Sequence, residues 1–210
     1  IALEILEQNE DKIVARCFLN MKEISVRNTI RRMDNIVRTM IKDTQKTYEE
    51  KNFATVHARD KDVNRLNFLS LRTIKFLLEN PSYAHSINVT PLKALMLWQI
   101  TYHIEAIGDD VKRISRLLEQ AELSKEQEEE FNELFLKVEE YYYETMKSYY
   151  KQDQPKALVL ANEKKELIFT TEAFFEKHLQ AALLPNIADK LKALILDIHK
   201  ITRISYGQFF

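Results

Sequence analysis

Residues 90–118, TPLKALMLWQITYHIEAIGDDVKRISRLL, read as one long helix. Thr90 is a helix-capping residue, and Pro91 follows at the first helical position, where its missing N–H costs nothing. Met96, Ile100, Ile104, Ile107, Val111, Ile114 and Leu118 recur at helical spacing and make an apolar stripe. At about 100° per residue, Glu105 and Asp109 stand one turn apart on roughly the opposite side. They are therefore expected to face water or a shallow groove rather than a core. Gly108 interrupts the helix at a cost of about 1 kcal/mol relative to Ala. Either a neighbouring backbone approaches closely there, or the glycine is simply tolerated.

The same punctuation returns along the chain. Pro185 opens a helix running to about Tyr206, and it lies 94 positions after Pro91. Upstream, Ser25 caps a helix that carries Ile30, Met33, Val37, Met40 and Ile41 and runs to about Glu50. A second, from about Asn52 to Glu79, bears Val56, Val63, Leu66, Ser70, Ile74 and Leu77, and Asn80-Pro81 stops it. Ser124 opens another with a capping box completed by Gln127, through Tyr141-Tyr142-Tyr143 to about Tyr150. The last helix before Pro185 spans about Pro155 to Gln180. Ser25 and Ser124 thus begin equivalent helices, as do Pro91 and Pro185, which is the mark of an internal repeat. The predicted fold is all-α, two tandem three-helix bundles over residues 21–122 and 123–210.

Residues 1–20 differ. Aliphatic runs at Ile1 to Leu6 and Lys12 to Leu19 flank the turn formers Gln8-Asn9-Glu10-Asp11, and they predict a β-hairpin. A lone hairpin is marginal in water, so it is expected to pack on the helices or on another module. The chain starts with Ile, and an N-terminal piece is expected to be missing.

Composition agrees with long helices and short loops: 45% hydrophobic residues, two Gly and four Pro. Lys and Arg number 31 against 32 Asp and Glu, a balance without the footprint of a nucleic-acid binder. The single Cys17 cannot form an internal disulfide, and no apolar run reaches the length of a membrane span. A cytoplasmic home is the expectation.

Chemistry is sparse. Asp60 and Asn64 lie four apart on the second helix, at the edge of its stripe, as Glu105 and Asp109 do on the third. If those helices are antiparallel neighbours, four oxygen-bearing side chains meet, a set suited to iron or a hard divalent cation. In a chain with 30% charged residues such pairs are common, and a solvated face is their usual origin; Asp60 has Arg59 and Lys61 beside it as surface partners. No His follows a Glu by three positions, so the ferritin-like di-iron motif is absent. There is no His-Glu-x-x-His, no Gly-rich phosphate loop, and no base beside Cys17 in the sequence. The tyrosine cluster reads as bundle packing rather than a stacking platform. No enzyme is indicated.

The segment Glu105-Ala106-Ile107-Gly108-Asp109 closely resembles the Glu-Arg-Ile-Gly-Asp signature of the PhoU family of phosphate-signalling regulators. Asp60-Lys61-Asp62-Val63-Asn64-Arg65-Leu66 is similar to its companion motif, in the same order on the preceding helix. Val63 to Leu69 and Arg31-Arg32-Met33 look most like the archaeal branch, where an AbrB-type hairpin domain often precedes the helices. The resemblance, covering about residues 21 to 207, implies a surface metal site in each repeat. In the first it would use Asp60, Asn64, Glu105 and Asp109 to hold iron or another transition or divalent metal, weakly. It also implies regulation of phosphate uptake through a transporter component or signalling kinase, and a homodimer is expected. In the second repeat, Glu105 and Asp109 map to His199 and Arg203, while Asp60 and Asn64 map to about Asn162 and Glu166. A guanidinium repels a cation, so a Glu166–Arg203 ion pair is expected there, with solvated charges as the alternative. Two other readings stay open: the sensor and dimerisation part of a transcriptional regulator whose DNA-binding domain lies outside this chain, and a metal-free helical scaffold.

Overall fold

The computed structural model of the protein describes residues 3–46 and 52–207. Strands β1 (Leu3–Gln8) and β2 (Ile13–Cys17) form an antiparallel hairpin, with Leu3 opposite Cys17 and an irregularity between Ile5 and Glu7. A 3-10 turn at Met21–Glu23 leads into the helices. Among the described residues these are α1 (Val26–Gln45), α2 (Phe53–Glu79), α3 (Pro81–Ser86), α4 (Pro91–Gln120), α5 (Lys125–Lys151), α6 (Gln154–Lys177) and α7 (Leu184–Gly207). The all-α class, two three-helix bundles behind a hairpin, is the fold the sequence predicts.

The caps explain where the long helices start. Ser25 Oγ accepts from the backbone N–H of Asn28 and Thr90 Oγ1 from that of Lys93, at 3.4 and 3.2 Å. Ser124 and Gln127 close both bonds of the capping box ahead of α5. Two boundaries differ from the reading of the sequence. Pro81 ends α2 as expected but then opens α3, a single short helix, because a proline at a helix start loses no hydrogen bond. Helix α6 stops at Lys177, three residues short of Gln180. The expected end of the first helix near Glu50 lies outside the described residues. Neither glycine takes a positive φ; that role falls to Asn88, Gln152 and Leu183.

Helices α1, α2 and α4 pack on one another, as do α5, α6 and α7. The bundles join mainly along α4 and α7 and, to a lesser extent, α1 and α5, and one continuous apolar core runs through both. His103 meets Asp197 at 3.0 Å, and Asp110 feels Lys190, seven residues up one helix and seven down the other. The two helices are therefore antiparallel. Serving two bundles, α4 buries more than its predicted stripe: Ala94, Leu97, Thr101, Asp110 and Ser115 are also inside. The hairpin contributes little to this core, since Ile5, Leu6 and Ile13 are all exposed.

Candidate metal centre

The predicted groups of the first repeat do converge. Asp60 comes from α2; Glu105 and Asp109 come from α4, which lies alongside it. Asn64 Nδ2 donates to Asp60 Oδ2 at 3.3 Å, and the charges of Asp60 and Asp109 both act on Glu105. Asp60, expected at the edge of its apolar stripe, is only 3% exposed. Glu105 and Asp109 are half-buried at the rim.

A residue that the motif reading passed over stands at the centre. Lys112 Nζ donates to Asp60 Oδ2 at 2.8 Å and to Asp109 Oδ1 at 2.6 Å. On the outer side, the Arg113 guanidinium donates to Asp109 Oδ2 at 2.9 Å and to Asp110 Oδ1 at 3.3 Å. The ammonium and guanidinium thus sit where a metal ion would draw its compensating anions. Burial pushes the Glu105 carboxyl up, helped by the charges of Asp109 and Asp60 and opposed by Lys112 and Arg113. Burial acts to lower Lys112, but its bonds to Asp109 and Asp60 outweigh it and the ammonium titrates higher than usual. Buried Asp110 is raised as well, against the pull of Lys190 and Arg113.

The donors are oxygen atoms of the right chemistry for a hard cation, yet their charge is already matched by amines. Among the described residues, no group of three or more His, Cys, Asp or Glu side chains is disposed to hold a metal ion as it stands. The sequence held a signal for this: Asp109, Lys112 and Arg113 have the i,i+3 and i,i+4 spacing of helical ion pairs.

The second repeat does not form the ion pair expected of it. Glu166 and Arg203 are both exposed, and they do not pair. The alternative, solvated charges, is what the structure has. His199 is partly buried with Nδ1 lacking a hydrogen-bond partner, and burial, followed by the charges of Lys164 and Arg203, depresses its basicity. Asn162 caps back onto the carbonyl of Leu158.

Residues 30–118 match the family profile described as the PhoU domain. Over that segment the chain is similar to the PhoU domain. The match begins in α1 and ends in α4, so it takes in both motifs and the whole Asp60–Lys112–Asp109 cluster. No curated protein and no solved structure matches the chain. No helix is long and apolar enough to cross a membrane among the described residues. The PhoU domain brings with it a family of regulators of phosphate homeostasis.

Proposed function

We propose that the protein is a PhoU-like regulator of phosphate uptake and signalling, acting in the cytoplasm by contact with other proteins and not by catalysis. The observation that carries this reading is the PhoU match over residues 30–118, the segment that gathers the two motifs onto neighbouring helices. The partners implied by the family are a phosphate-transporter component or a signalling kinase. Co-purification of the tagged protein from its own cells, grown with scarce and with ample phosphate, tests it. Recovery of such a partner supports the reading, and recovery of neither under both conditions overturns it.

The metal expected of the family enters this proposal as a labile ion held by Asp60, Asn64, Glu105 and Asp109. It binds by displacing Lys112, whose ammonium lies between Asp60 and Asp109 and would repel a second cation placed beside it. Wild-type protein should therefore take up Mn²⁺ or Fe²⁺ weakly in equilibrium dialysis, and Lys112→Met should bind at least tenfold more tightly. Paired Glu105→Ala and Asp109→Ala changes should abolish uptake. If Lys112→Met takes up no more metal than the wild type, the labile-site reading fails while the regulator reading stands.

A second reading has one observation in its favour. The hairpin exposes Ile5, Leu6 and Ile13 on a two-stranded sheet with open edges, which suits a docking element for a second copy or for a DNA-binding module. On that reading the helices serve a transcriptional regulator as sensor and dimeriser, and the mass in solution, with and without residues 1–20, checks it.

A further inference from the structure

A second polar region lies at the other end of α4 from the acidic cluster. The N-termini of α1 and α4 and the C-terminal turn of α5 enclose a cleft of about 500 Å³, so both bundles contribute to it. That volume is in the range of small-molecule sites. Arg27, Arg31 and Lys93 line it, and no Asp or Glu does. In a chain with one more acid than base, three cations without a carboxylate among them are a marked local excess.

Their partners sharpen the point. Arg31 lies over the Tyr150 ring at 5.5 Å, and neither it nor Arg27 has an acidic partner among the described residues. Lys93 Nζ donates to the backbone oxygen of Asn88 at 2.9 Å, a neutral acceptor. The carboxylate behind Tyr150, that of Asp34, is buried and engaged by Tyr150 Oη and Arg38 Nε. Helix dipoles add net positive potential, because the N-termini of α1 and α4, neither with an acid in its first turn, outnumber the single C-terminus of α5 at the cleft. Helix α5, whose N-terminus lies elsewhere, carries Glu126 and Glu128 in its first turn. Arg27 and Lys93 stand in the first turns of their helices, where a cation is repelled. No carboxylate lining the cleft neutralises this positive charge, and an anion would. Tyr149 and Tyr150 supply a flat wall for the uncharged part of such a ligand.

We propose that this cleft binds the phosphoryl group of a small anion, held by Arg27 and Arg31 from one side and Lys93 from the other. The chemistry is that of guanidinium forks and an ammonium on a multiply charged oxyanion. The anion is either free phosphate or the phosphate end of an organic molecule.

Isothermal titration of the whole chain with inorganic phosphate and, separately, with ADP tests this. At least one of them is expected to bind. ADP binding alone identifies an organic phosphate using the tyrosine wall, and equal binding of both identifies the free ion. The Arg27→Gln, Arg31→Gln double variant should weaken binding at least tenfold. Lys93→Gln, on the opposite wall, should weaken it independently, and Lys165→Gln, in a groove between α6 and α7, should not. Arg27 and Arg31 are exposed, so their loss leaves the core untouched. The proposal is overturned if neither probe binds, if the variants bind as the wild type does, or if a Glu-rich peptide binds where neither phosphate compound will.

Discussion

Gly108 and Lys112 lie four residues apart on α4 and pose opposite problems. A Cβ built on Gly108 would meet Val37 Cγ2 at 3.5 Å, Val63 Cγ1 at 3.6 Å and Met40 Cε at 3.9 Å, all ordinary contacts. Of the two readings left open by the sequence, tolerance is the one that holds: side chains, not a backbone, approach the glycine. Gly108→Ala should therefore stabilise the protein by about 0.5–1 kcal/mol through helix propensity alone. In calorimetry that is a melting temperature higher by about 2 °C; a lower value would show that the site resists even a methyl group. Lys112 was harder to foresee. The motif spacing brings Asp60, Asn64, Glu105 and Asp109 together, and they meet. Helical spacing signals the Lys112–Asp109 pair, but it does not reveal that the same amine also reaches across to Asp60 on α2.

Helix α5 shows how one element binds two bundles. Tyr141 is buried near Thr202 of its own bundle, whereas Tyr142 is buried close to Asp34 of α1 and Tyr150 donates to that carboxylate at 3.0 Å. Arg38 closes the group, donating to Asp34 at 2.8 Å and lying 4.6 Å from the Tyr143 ring centre. The reading of the tyrosine cluster as packing is thus right for Tyr141 and Tyr142, while Tyr143 is exposed beneath Arg38. Removing one hydroxyl, in Tyr150→Phe, deprives a buried carboxylate of a donor and should cost about 2 kcal/mol in urea unfolding. Burial pushes the Tyr141 hydroxyl up to about 12 and raises Tyr142, Tyr149 and Tyr150 as well. In the unfolded chain tyrosine titrates near about 10. Above that pH the native protein keeps protons that the unfolded chain releases, so stability falls as the pH rises. Absorbance titration should show these four of the nine tyrosines ionising late, together with unfolding. Ionisation of all nine near the ordinary value, with the fold intact, would contradict the burial.

The molecule as a whole is organised around α4 and α7. Its six long helices were legible because caps and apolar periodicity are local signals, carried by residues such as Ser25, Thr90 and Ser124. The side-by-side placement of the two bundles was not, because it rests on contacts such as His103 with Asp197, which are far apart in sequence and chemically ordinary. Burial of Asp110 follows from that placement, which is why an acid beside the metal motif ended up inside. Burial opposes ionisation of Asp197, but hydrogen bonds from His103 and Lys200 outweigh it and hold the carboxyl below its usual range. With a single core through both bundles, thermal unfolding should be one cooperative transition, its van't Hoff and calorimetric enthalpies equal. Two resolved transitions would show that the bundles melt separately.

Between α4 and α5 the chain has only residues 121–124. Four residues reach about 14 Å at full stretch, too short a tether for one bundle to swing clear of the other. A protein that grips either bundle therefore takes hold of both, and a push at one end arrives at the far end as displacement of a stiff rod rather than the bending of a hinge.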